Sequence, residues 1–142
     1  MRYLFFTLLL LLLSVSSGCS NNNPQGRIAV RGEVTFNSKP LEQGEILFLS
    51  IEGSTPTVAT GSLIQNGKFS LPAEHGLIPE QEYCVQFRAV EEIPGTRKTN
   101  DPMEVVQTHD IIPPKYGVKS KETVKATKKS PNVFKFDLIS DK

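Results

Sequence analysis

The sequence predicts an all-β protein, a seven-stranded antiparallel β-sandwich, behind an N-terminal export segment. Apolar residues recur at every second position through most of the chain, and no helical period of useful length appears. Clusters of Asn, Ser, Gly and Pro interrupt the alternation at short intervals. Each alternating segment has one oily face, and two sheets stacked about 10 Å apart would bury those faces against each other.

Arg27 to Phe36 sets Ile28, Val30, Val34 and Phe36 on one face and Ala29, Arg31, Glu33 and Thr35 on the other. Asn37-Ser38-Lys39-Pro40 has turn chemistry. Glu45 to Ile51 is apolar on both faces, which predicts a central strand. Thr57 to Gln65 and Lys68 to Leu71 flank Asn66-Gly67, a dipeptide that tolerates the positive φ angles of a tight hairpin. Glu82 to Glu91 alternates Tyr83, Val85, Phe87 and Ala89 against polar residues, with Cys84 on the side of Gln86 and Arg88. Lys121 to Thr127 is a modest strand, and Asn132 to Ile139 closes the chain with Phe134, Phe136 and Leu138 inward. Between them, Glu92 to Tyr116 is broken by Pro94, Gly95, Pro102, Pro113 and Pro114, so it is expected to be a loop; loops this long are usually functional or mobile.

The N-terminus carries a different signal. Met1-Arg2 is positive, Tyr3 to Leu13 is almost wholly apolar, and Ser14 to Gly18 are small or modest. These are the three parts of a secretory signal. The apolar run is too short for a permanent span, which needs about 20 residues. Ser16-Ser17-Gly18-Cys19 resembles the lipobox of bacterial lipoproteins. That resemblance implies cleavage before Cys19, a thioether-linked diacylglycerol on its sulfur and an acyl chain, typically palmitate, on its amino group. Each buried methylene contributes about 0.8 kcal/mol, so two or three chains hold where one does not. The expected organisation is a signal peptide at 1–18, a lipidated Cys19 with a flexible tether at 19–26, and a β-domain at 27–142.

Composition narrows the function. The formal net charge is +1, so no strong field points to nucleic acid. Lys115, Lys119, Lys121, Lys125, Lys128, Lys129 and Lys135 face only Glu122 over their stretch. The plain reading is a solvated edge or loop, and the sharper one is contact with anionic headgroups or an acidic polymer. With Cys19 lipidated, Cys84 is the remaining cysteine, and no intrachain disulfide is expected.

The order of features resembles the carboxypeptidase-regulatory-like, transthyretin-like domains of short planctomycete lipoproteins. The matching residues are Val30-Arg31-Gly32-Glu33-Val34, Lys39-Pro40-Leu41, Gly44 before Ile46 to Phe48, and Asn66-Gly67-Lys68-Phe69. Leu77-Ile78-Pro79 before Tyr83, Ile112-Pro113-Pro114-Lys115-Tyr116, and Asn132 with Phe134 and Phe136 complete the set. Asn37-Ser38 stands where the family usually has Asp-Gly, and Gln81-Glu82 where it has Gly-Glu. The resemblance implies an immunoglobulin-like, prealbumin-type sandwich on a lipid anchor, without activity.

Residue chemistry points the same way. A nucleophile, base and orienting group must converge for covalent catalysis. The two histidines, His75 and His109, both lie in predicted loops. Zinc, calcium and phosphate-loop motifs are absent, so no metal and no cofactor is expected. The hydrolase branch of the transthyretin-like fold carries a C-terminal Tyr-Arg-Gly-Ser and an early histidine, which this chain lacks. Internal Lys-Asn isopeptide bonds of related adhesin domains need a first-strand lysine, also missing here. Tyr116 and His109 are the candidate binding residues: Tyr116 because glycan recognition favours an exposed ring and there is no tryptophan, and His109 because it lies in the long loop. The expectation is a non-enzymatic lipoprotein domain of the cell envelope, with a structural or binding role. Its lipid would hold it to a membrane, on the periplasmic or outer-membrane face, near an envelope protein or polysaccharide. The alternative is a ligand-binding module that grips a peptide or glycan through the 92–116 loop.

Overall fold

The computed structural model describes residue 23 and residues 25–53, 55–99, 101, 103–129 and 131–141. The expected signal peptide, Cys19 and the start of the tether lie outside them. Ten strands are present among the described residues: β1 Val30–Phe36, β2 Lys39–Pro40, β3 Gln43–Ser50, β4 Thr57–Gln65, β5 Lys68–Leu71, β6 Glu82–Arg88, β7 Val90–Glu92, β8 Thr108–Asp110, β9 Thr123–Lys125 and β10 Val133–Leu138. Among the described residues a 3-10 turn covers Ala73–His75. No helix of the described residues is long and apolar enough to cross a membrane.

The fold is all-β. Each expected strand segment overlaps one of these strands; β3 starts two residues early at Gln43, β7 begins inside the expected Glu82–Glu91 segment, and β2 and β8 are additional. Seven strands form one continuous path in the order β10-β1-β5-β4-β3-β6-β9, with β2 paired to β1, and β7 and β8 form a separate ribbon. The architecture departs from two independent sheets: it is one sheet curled over on itself, sandwich-like. The curl turns at the Asn66-Gly67 hairpin, where β4 and β5 share the single register pair Gln65↔Lys68. Asn66 and Gly67 take φ of 50° and 72°, as their residue types allow. Asn37 and Ser38 do the same at 51° and 65°, turning β1 into β2.

The pairing is antiparallel at every step except one, where β10 runs parallel to β1. Direction explains the exception. Each antiparallel neighbour reverses the chain, so β9 runs opposite to β1. The short link from β9 to β10 reverses it again, and Asn132 pins that link by accepting from the Thr127 N–H at 2.9 Å and donating to its carbonyl at 2.9 Å. β10 then joins β1 in the opposite layer, already pointing the same way.

The core fills the curl. Val30 and Val34 of β1, Ile46 and Phe48 of β3, Phe69 of β5, and Tyr83, Val85 and Phe87 of β6 are all buried. β3 lies between β4 and β6 with Ile46 to Leu49 all buried, as its unbroken apolar run requires. Phe48–Phe69, Phe69–Phe136 and Phe87–Phe136 follow one another with ring centroids 6.1, 6.3 and 5.0 Å apart. This chain of rings crosses from one arm of the sheet to the other and back.

Two positions show how closely the layers fit. Gly32 faces inward, and a Cβ there would lie 2.1 Å from the Phe134 carbonyl oxygen and 2.6 Å from the Phe69 ring. Tyr83 has its hydroxyl inside, where it accepts from the Ile78 N–H at 3.1 Å and donates to Gln81 Oε1 at 2.9 Å. Gln81 continues the network by donating to Ser50 Oγ at 3.1 Å. Gly32→Ala should destabilise the fold by about 3 kcal/mol, because backbone must move to admit the methyl. Tyr83→Phe should cost about 1–2 kcal/mol by orphaning the Ile78 N–H. Denaturant midpoints read both, and an unchanged midpoint for either would contradict the packing described.

Candidate functional site

The 92–116 segment is more ordered than its prolines suggest. β6 ends at Arg88, whose pairing with Glu45 is the last between β6 and β3. The backbone must find other partners. Ala89 is buried and its carbonyl accepts the Ile111 N–H at 3.0 Å. Val90, Glu91 and Glu92 then pair with Asp110, His109 and Thr108. The expected strand Glu82–Glu91 is therefore broken at Ala89, and the expected irregular loop contains the ribbon β7–β8. All six ribbon residues are exposed, so no alternation marks them.

Beyond the ribbon, one side chain organises the tip. Glu104 accepts from the Lys98 and Thr99 N–H groups, each at 2.8 Å, and from Thr99 Oγ1 at 2.9 Å. These donors hold its carboxyl below the ordinary carboxylate range. Asp101 Oδ1 accepts from the Met103 N–H at 2.9 Å, and the Ile93 N–H bonds the Gln107 carbonyl at 2.8 Å. Arg97 and Glu92 pair at the base, and the hydrogen bond from Arg97 lowers the Glu92 pKa. With Glu104 turned in, its neighbours turn out: Met103 is 86% and Val105 94% exposed. Sequence reasoning missed Glu104, since it caps amides five and six residues back and no pattern marks such a contact.

The proposed binding residues sit apart from that tip. His109 is exposed in β8, with Glu91 as its cross-strand neighbour. Tyr116, expected as a free ring, is half-buried against the core. Its hydroxyl accepts from the Ile139 N–H at 3.4 Å, and Lys115 Nζ stands 5.2 Å from its ring centroid. Lys115 also pairs with Asp141 at 2.6 Å. Among the described residues no hydrogen bond or ion pair joins Tyr116 to His109. His75 ends the 3-10 turn, exposed. Cys84 is half-buried, its thiol 3.5 Å from the Ser120 carbonyl, and burial raises its pKa. Of the lysine-rich stretch, Lys125 and Lys135 reach Glu80 and Glu33 at 3.5 and 3.1 Å.

Clefts surround the ribbon base. One of about 660 Å³ lies between Phe36, Lys39 to Gln43, Val90, Glu91 and Ile111. Another of about 530 Å³ lies between Arg88, Asp110 to Pro114, Val118 and Asp141. A third, about 710 Å³, opens where β4 splays from β5, and is lined by Arg31, Glu33, Leu63 and Lys68. Among the described residues, no three His, Cys, Asp or Glu side chains group as metal ligands.

No protein-family model and no curated protein matches the chain. A similar solved structure is a 9R-lipoxygenase from Cyanothece PCC8801, at 14% identity and a TM-score of 0.36. The alignment covers 98% of this chain and 20% of that one, so the chain spans about a fifth of the lipoxygenase. A likeness at that TM-score carries no argument about fold or chemistry.

The Glu104 cap yields a pH dependence. A carboxylate with a lowered pKa stabilises its turn above the ordinary carboxylate pKa, and that contribution fades as pH falls through the lowered value. The protection factors of the Lys98 and Thr99 amides should therefore fall below the carboxylate range, and Glu104→Gln should abolish that pH step. Hydrogen exchange followed by NMR, normalised to intrinsic rates, measures this, and protection factors that do not change with pH in the native chain would refute the cap.

Proposed function

We propose that this chain is an exported lipoprotein, anchored to a membrane of the cell envelope through lipid on Cys19, with a non-catalytic β-domain in a structural or binding role. The observation that carries this reading is the N-terminal order: positive end, apolar core, small residues, then Cys19. The finer fold belongs to the same proposal, a seven-stranded sandwich of the transthyretin-like, carboxypeptidase-regulatory-like kind. Its support is the agreement between the family-like motifs and the seven strands of the main sheet path. Asn66-Gly67 at the hairpin and Tyr83 in the core are the residues that such a resemblance would place there.

A second reading has its own support. A ribbon that carries Met103 and Val105 outward, held by an inward carboxylate, suits a module that grips a peptide or glycan through the 92–116 segment. Partners on either reading are the membrane, through the lipid, and an envelope protein or polysaccharide.

Cys19→Ala should move the protein from the membrane pellet to the soluble fraction, and mass spectrometry of the native chain should find acyl groups on residue 19. A Cys19→Ala protein that still pellets after a carbonate wash would end the anchor model. On the second reading, a stoichiometric ligand captured from solubilised envelope should be lost when residues 94–106 are replaced by a short linker.

A further inference from the structure

β10 is an edge of the sheet, and its free side is open. The Arg31 N–H donates to the Asn132 carbonyl at 3.1 Å and the Asn37 N–H to the Leu138 carbonyl at 2.8 Å. Backbone groups alternate sides along a strand, so even-numbered residues of β10 bond to β1 and odd-numbered ones face outward. The N–H and C=O groups of Val133, Lys135 and Asp137 have no hydrogen-bond partner among the described residues. Beyond them the edge ends, because the Tyr116 hydroxyl meets the Ile139 N–H.

Charged side chains usually protect such an edge by projecting past it. Here they lean the other way. Lys135 Nζ reaches back to Glu33 at 3.1 Å, and Asp137 accepts from Thr35 Oγ1 at 2.6 Å, both partners lying on β1. The edge carries no proline and no bulge.

The outward-facing sequence is self-complementary. Val133, Lys135, Asp137 and Ile139 read apolar, positive, negative, apolar, and Val133 and Ile139 are exposed hydrophobics at 43% and 60%. We infer that a second copy of this chain adds its β10 antiparallel to this edge, in the register that sets Lys135 opposite Asp137 of the other copy. That register puts outward-facing backbone groups against each other, as a hydrogen-bonded pair requires. It forms two Lys-Asp pairs and brings each Val133 over the other copy's Ile139. Shifting either way by two residues sets Lys135 on Lys135 or Asp137 on Asp137, and like charges directly opposite repel. The contact is two-fold and closed, so it ends at a dimer.

The full chain in detergent, followed by sedimentation velocity, should show a concentration-dependent dimer. Lys135→Asp should weaken association about tenfold, and the swap Lys135→Asp with Asp137→Lys should restore it. In a Cys84→Ala background, Lys135→Cys chains mixed with Asp137→Cys chains should cross-link with each other faster than either does alone. A native chain that stays monomeric, a swap that does not restore the dimer, or faster cross-linking of like positions would each overturn the inference.

Discussion

The fold hangs on side-chain contact between two arms whose adjoining strands, β4 and β5, share a single register pair. The hydrogen-bond ladder alone would therefore leave the sheet free to open. Phe48, Phe69, Phe136 and Phe87 prevent this by stacking in sequence from β3 to β5 to β10 to β6. Each ring touches a strand of the opposite arm. Offset or edge-on ring pairs add about 0.5–1.5 kcal/mol apiece beyond the area they bury. The closure is therefore an aromatic one, and the glycines follow from it: Gly32 has no side chain because Phe69 and the β10 backbone occupy that space.

The hairpin that starts the curl is fixed from both sides. The Gly67 N–H bonds the Leu41 carbonyl, the Leu41 N–H bonds the Val34 carbonyl, and the Val34 N–H bonds the Gly67 carbonyl, all at 2.8 to 3.0 Å. This ring of three bonds joins the β1–β2 hairpin to the β4–β5 hairpin. At the other end, Tyr83 and Gln81 tie β6 to the Ile78 backbone and to Ser50. Gln81, a departure from the family-like pattern, is used here as the acceptor for the buried hydroxyl.

The ribbon obeys a different rule. It buries nothing of its own, and its six paired residues are all exposed. Local polar contacts hold it instead: the Glu104 carboxylate on two amides and the Arg97–Glu92 pair. Exposed ion pairs are screened by water and contribute little, so the tip depends chiefly on charge-assisted bonds to backbone. Such an element presents its apolar residues outward because no core is within reach to take them.

The sequence by itself determined the fold class, the strand segments, the central place of β3 and the Asn66-Gly67 turn. It also marked Tyr83 as core, because period-two patterning and turn chemistry are local properties of the chain. Only the tertiary structure decided that the sheet is continuous and curled, that β10 runs parallel to β1, and that Ala89 ends β6 and starts a ribbon. It also decided that Tyr116 leans on the core and that Glu104 holds the tip. These features come from which distant segments meet and in which direction. Alternation records which side of a strand is oily, but it carries no record of the neighbour that strand will find.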